Sequence, residues 1–66
     1  MTLTLNGETT ELQDGATVAQ LLKSINPEAS RVAVLVNDTV IRAERRESHV
    51  LHDGDHIEIL TFAGGG

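Results

Sequence analysis

Only one stretch of this chain has helical spacing, and that limits the fold more than any other feature. Val18, Leu21, Leu22 and Ile25 fall at i, i+3, i+4 and i+7, which lines one side of a short helix. Thr17-Val18-Ala19-Gln20 marks its start as a capping box, in which the Thr17 hydroxyl and the Gln20 amide satisfy exposed N–H groups. Asn26-Pro27 marks its end, because proline disfavours helical backbone in the residue before it. The remaining apolar runs read as strands. Leu3 and Leu5 alternate with Thr2 and Thr4, and Asn6-Gly7 supplies a hairpin turn into a second strand over 8–12. Asp14-Gly15 turns the chain toward the helix.

"VAVLV" (32–36) is too short for a core helix and rich in β-branching, so it reads as a central strand with both faces at least partly covered. Asn37-Asp38 is a turn, and Thr39-Val40-Ile41 begins a short fourth strand. "RAERRESH" (42–49) reads as a charged loop without clear periodicity. Val50 and Leu51 are expected to return to the core, Asp53-Gly54-Asp55 to turn, and 57–62 to form the last strand. A single helix is then available to cover one face of one mixed sheet. The expected fold is α+β, a β-grasp roll of four to five strands over 1–63, followed by a flexible glycine tail over 64–66.

Sixty-six residues make one small domain that buries only about 60% of its unfolded surface. With no cysteine there is no disulfide, thiolate metal site or cysteine nucleophile, which fits the cytoplasm. Neither a basic-then-apolar leader nor an apolar run of spanning length is present, so neither secretion nor a membrane is expected. The net charge of −5 disfavours nucleic acid and favours a basic protein partner, although acidity also serves solubility alone.

Side chains alternate along the last strand. If Ile57, Ile59 and Thr61 face the helix, then Glu58, Leu60 and Phe62 point to the uncovered face, where Leu35 or its neighbours on the central strand extend the patch. Large apolar groups on an open sheet face mark a docking surface. Phe62, the lone aromatic, either anchors a partner there or folds under a loop into the core. His49, His52 and His56 straddle a turn without a thiolate or helical alignment, so they read as surface histidines and not as a metal site. Ser24, Ser30 and Ser48 fall in no triad order, and Asp53 and Asp55 are turn formers. An enzyme acting alone is not expected, nor any cofactor bound by the chain itself.

Half of the six glycines occupy the last three positions. Three extended residues reach roughly 10 Å, and without Cβ atoms they can thread a channel too narrow for other sequences. The terminal carboxylate sits on an unhindered carbon. Adenylation by ATP would give it a leaving group, so the chain would serve as a co-substrate with the catalytic machinery on a partner. The plainer reading is a frayed end.

"TLTLNGETTEL", "DGATVAQLL", "VAVLVND", "DGDHIEIL" and the glycine end together resemble the ThiS sulfur carriers, over nearly the whole chain and in the same order. The resemblance implies a ubiquitin-like β-grasp whose terminal glycine, here Gly66, is adenylated by a ubiquitin-activating-type enzyme (ThiF-like) using ATP and magnesium. A persulfide-bearing sulfur donor protein would then convert it to a thiocarboxylate, and a thiazole synthase (ThiG-like) would accept the sulfur for thiamin. Gly65 and Gly66 would carry the chemistry, Gly64 would add reach, and Leu60 and Phe62 would lie on the docking face. Two features depart from the family's pattern: the basic "RAERRESH" segment and the third glycine. Molybdopterin synthase small subunits, other thiocarboxylate carriers, a protein modifier joined through Gly66 and a non-covalent β-grasp module stand as alternatives.

Overall fold

The computed structural model describes residues 1–25 and 32–61. Strands β1 (Thr2–Leu5) and β2 (Glu8–Glu11) form a hairpin, followed by helix α1 (Val18–Ile25). Then come β3 (Val32–Val36), β4 (Thr39–Ile41), a 3-10 turn (Ala43–Arg45) and β5 (His56–Thr61). The five strands make one mixed sheet in the order β2-β1-β5-β3-β4, with β1 and β5 parallel and the other pairs antiparallel. This is the expected β-grasp arrangement, with one correction. β5 is the middle strand, while β3, read as central from its apolar run, lies one place from the edge.

Both hairpins turn on two residues in left-handed backbone. Asn6 and Gly7 have φ of 48° and 83°, and Asn37 and Asp38 have 50° and 69°. Such turns match the twist of the strands they join, and asparagine tolerates this region better than other side chains. They fix the registers Leu5↔Glu8 and Val36↔Thr39, from which the rest of each ladder follows.

Helix α1 lies on one face. Val18, Leu21 and Leu22 are buried against Leu3, Val32, Val34, Val36, Ile41, Leu51 and Ile57. Each such side chain contributes about 1.5–3 kcal/mol of transfer free energy. Ile25, expected on the same face, is instead 46% exposed at the helix end. The capping box forms as read: the Thr17 N–H donates to Gln20 Oε1 at 2.9 Å, and the Gln20 N–H donates to Thr17 Oγ1 at 3.2 Å. Two further helix-start donors find carbonyls in the segment after β4, Val18 N–H to His49 (3.0 Å) and Ala19 N–H to Arg46 (2.9 Å). The "RAERRESH" segment is therefore ordered by the helix it caps. Just after it Leu51 is buried, but Val50, expected in the core, is 43% exposed and sits opposite Thr17 in an isolated antiparallel bridge. Asn26-Pro27 lies outside the described residues.

Candidate docking face and the strand that carries the tail

β5 carries the chain toward its C-terminal glycines, and it is held differently on its two sides. Against β3 it is paired from Val36↔Ile57 to Val32↔Thr61. Against β1 the ladder is only Thr4↔His56 and Leu5↔Ile57, because β1 reverses at Asn6-Gly7. The Asn6 side chain continues that ladder. Its Oδ1 accepts the Ile59 N–H at 2.8 Å, while its Nδ2 donates more weakly to the Ile59 carbonyl at 3.4 Å. Asn37 acts alike at the start of the strand, with Oδ1 accepting the His56 N–H (3.0 Å) and Nδ2 donating to Asp55 Oδ1 (3.0 Å). Two turn asparagines thus hold the middle strand from opposite flanks.

Burial follows the expected parity. Ile57 is buried and Ile59 packs on the core, whereas Glu58 is exposed and Leu60 is 51% exposed on the face away from α1. Paired residues share a face, so Leu60↔Ala33, Glu58↔Leu35 and Leu35↔Val40 bring Leu60, Ala33, Leu35 and Val40 onto one surface. Leu35 is half-buried there, and Val40 is 63% exposed. The structure therefore brings Leu60 and Leu35 together. Ala33, a β3 neighbour of Leu35, belongs to the same patch, and so does Val40, which the sequence reading leaves out although the two-residue turn after Val36 places it opposite Leu35. Toward β1 and β2 this face becomes polar through Thr2, Thr4, Thr9 and Glu11. Phe62, Gly64, Gly65 and Gly66 lie outside the described residues.

Asp55 anchors the turn leading into β5. Burial pushes its carboxyl pKa up, but hydrogen bonds from the His52 N–H (2.8 Å) and the Asn37 amide outweigh this, and its pKa lies below the usual value. Among the described residues no group of three or more histidine or acidic side chains is placed to hold a metal ion. Among the same residues no helix is long and apolar enough to cross a membrane. An apolar patch on a face that α1 does not cover, beside the last strand, can dock a protein.

Known proteins resemble this chain along its whole length. The crystal structure of the thiamine biosynthesis protein ThiS from Geobacter metallireducens superposes with a TM-score of 0.86 at 33% identity, covering 100% of both chains. The sulfur carrier protein ThiS of Escherichia coli K12 is 26% identical over 66 residues, again covering both chains fully. A thiazole synthase of Paramagnetospirillum magneticum is 33% identical over the same 66 residues, which are only 20% of that longer protein. The model of the ThiS family matches residues 3–66, so the β-grasp core and the glycine end fall within one match. The chain belongs to the ThiS family.

Proposed function

We propose that this chain is a sulfur carrier of thiamin biosynthesis, working in the cytoplasm as a small carrier protein rather than a catalyst. The observation that carries the reading is the family match, which continues through the glycine end to Gly66. In this reading the Gly66 carboxylate attacks the α-phosphorus of ATP in the active site of a separate ThiF-like adenylating enzyme. Pyrophosphate leaves, and magnesium offsets the phosphate charge. The outer sulfur of a donor protein's persulfide then attacks the acyl carbon and AMP leaves. A thiol reduces the resulting acyl disulfide, releasing the terminal thiocarboxylate.

Leu60, Leu35 and Phe62 serve docking, and Gly64 and Gly65 let the terminus enter the partner's channel because they add no Cβ. A ThiG-like thiazole synthase is the proposed acceptor. That partner is supported by the thiazole synthase of Paramagnetospirillum magneticum, which includes a segment resembling this whole chain. The test is intact mass after incubation with the adenylating enzyme, ATP, magnesium, a persulfide donor and a thiol. One oxygen-for-sulfur exchange is expected at the terminus, and none after deletion of Gly66, whose circular dichroism should match the parent. An unchanged parent mass refutes the reading. Isopeptide-linked adducts in its place would assign the chain to protein modification.

A further inference from the structure

The basic segment that departs from the family pattern has a definite place in the fold. It leaves β4 and winds into the 3-10 turn, and this turn sorts its charges. Arg42 and Arg45 line a cleft of about 340 Å³ against the β4 edge, together with Val40, Ile41, Ser48 and His49 and, among the described residues, with no carboxylate. Glu47 instead lines a cleft on the helix side with Lys23. Glu44 approaches Arg42 only at 3.9 Å, with both side chains largely exposed, so this pair does little to neutralise the guanidinium. Arg46 is used internally, its Nη2 donating to the Val32 carbonyl at 2.6 Å. The turn is held rigidly, with the Arg45 carbonyl accepting from the His49 N–H (2.9 Å) and the Ser48 hydroxyl (3.2 Å).

Val40 belongs both to this cleft and to the apolar open face. The cleft is therefore the rim of that face on the β4 side. The opposite rim is the β2 edge, where exposed Glu11, paired with Thr2, lies on the same face. A chain of net charge −5 thus presents a face that is acidic at one edge and basic at the other.

We propose that the Arg42–Arg45–His49 cleft takes the carboxylates of an acidic segment on the protein that docks on the open face and activates the terminus. The inference rests on the docking reading above and adds an orientation to it. A partner turned end for end would set its acidic segment against Glu11 and leave two guanidiniums unmatched. Like-charge contact of this kind rejects wrong arrangements more than it tightens the right one.

The test is steady-state adenylation of the intact chain by its activating enzyme, comparing the parent with Arg42→Ala/Arg45→Ala, Arg45→Ala and Lys23→Ala. All three positions are exposed, so melting curves should coincide with the parent. At low ionic strength the double variant should raise KM about 10-fold at unchanged kcat, with the gap closing to under about 2-fold near 0.5 M salt. Arg45→Ala should shift KM in the same sense, while Lys23→Ala, which removes equal charge elsewhere, should stay within about 2-fold of the parent. An unchanged KM in the double variant overturns the inference while leaving carrier function intact, and so does an equal shift in Lys23→Ala. Saturable competition by micromolar tripolyphosphate also overturns it, by assigning the cleft to a phosphate ligand. A parent chain that is never adenylated overturns the functional reading and this inference with it.

Discussion

Replacing Asn6 by glycine isolates the work of one side chain, because glycine accepts the φ of 48° at that position without strain. What disappears is the 2.8 Å bond from the Ile59 N–H and the longer 3.4 Å bond to its carbonyl. Both groups lie at an exposed end of the sheet, so water can take over and no burial penalty is added. The shorter bond is worth about 1 kcal/mol net and the longer a few tenths. Glycine further loosens the unfolded chain by roughly 0.4–1 kcal/mol. The sum is about 2 kcal/mol, a large share of the roughly 3–10 kcal/mol available to a domain of this size. The melting temperature should fall by about 10 °C. With neither tryptophan nor tyrosine present, urea and thermal unfolding are best followed by far-ultraviolet circular dichroism. Asn6→Asp keeps the acceptor oxygen and the left-handed tolerance, and should stay within about 0.5 kcal/mol of the parent. If the glycine variant loses less than about 0.3 kcal/mol, the clasp contributes nothing net and the argument fails. If the aspartate variant is as damaged as the glycine variant, the acceptor is not the cause.

Three further outcomes are expected. Leu21→Ala opens a cavity beneath α1 at a fully buried position and should cost about 3 kcal/mol, read as a shift of the urea midpoint at constant slope. Asp55 titrates below its unfolded value of 3.8, so its contribution is present above that pH and is lost as pH falls through the folded pKa. Asp55→Asn should therefore be less stable than the parent near pH 7 and should flatten the decline in urea midpoint between about pH 5 and pH 2; a parallel decline would exclude Asp55 as its source. Leu60→Ser, at a half-exposed site, should change stability by less than about 0.5 kcal/mol but raise KM for adenylation several-fold, whereas an unchanged KM would remove Leu60 from the docking face.

What the sequence made legible was local. Asn6-Gly7 and Asn37-Asp38 are short-range turn signals, and both adopt the left-handed pair of angles that such residues permit. The Thr17/Gln20 box needs only four residues, and it forms. Strand parity placed Ile57 inside and Leu60 outside. What escaped depends on distant pairing. The parallel contact between β1 and β5 joins residues some fifty positions apart, and no local pattern in "HIEILT" announces that this strand, and not "VAVLV", will be the middle one. Val50 sits beside buried Leu51 but is turned out by its bridge to Thr17, a partner 33 residues away. The asparagine clasps escaped for the same reason. A turn residue is recognisable, but the strand its side chain will hold is not. Phe62 and the three terminal glycines carry the functional reading on sequence and family alone.

The position of β5 also sets the order in which the molecule can assemble. The β1–β2 hairpin and the β3–β4 hairpin have no direct ladder between them, and β5 is the strand that joins them. In chain order both hairpins and α1 precede the strand that joins them. Closing the sheet requires the segment made after them, which must slot between two preformed halves and pair in opposite senses on its two sides. Such long-range closure is slow compared with local hairpin formation, and it gives folding no early start on the ribosome. A chain cut short before β5 therefore cannot build the sheet, so a truncated copy would lack the folded docking surface needed to compete for the activating partner.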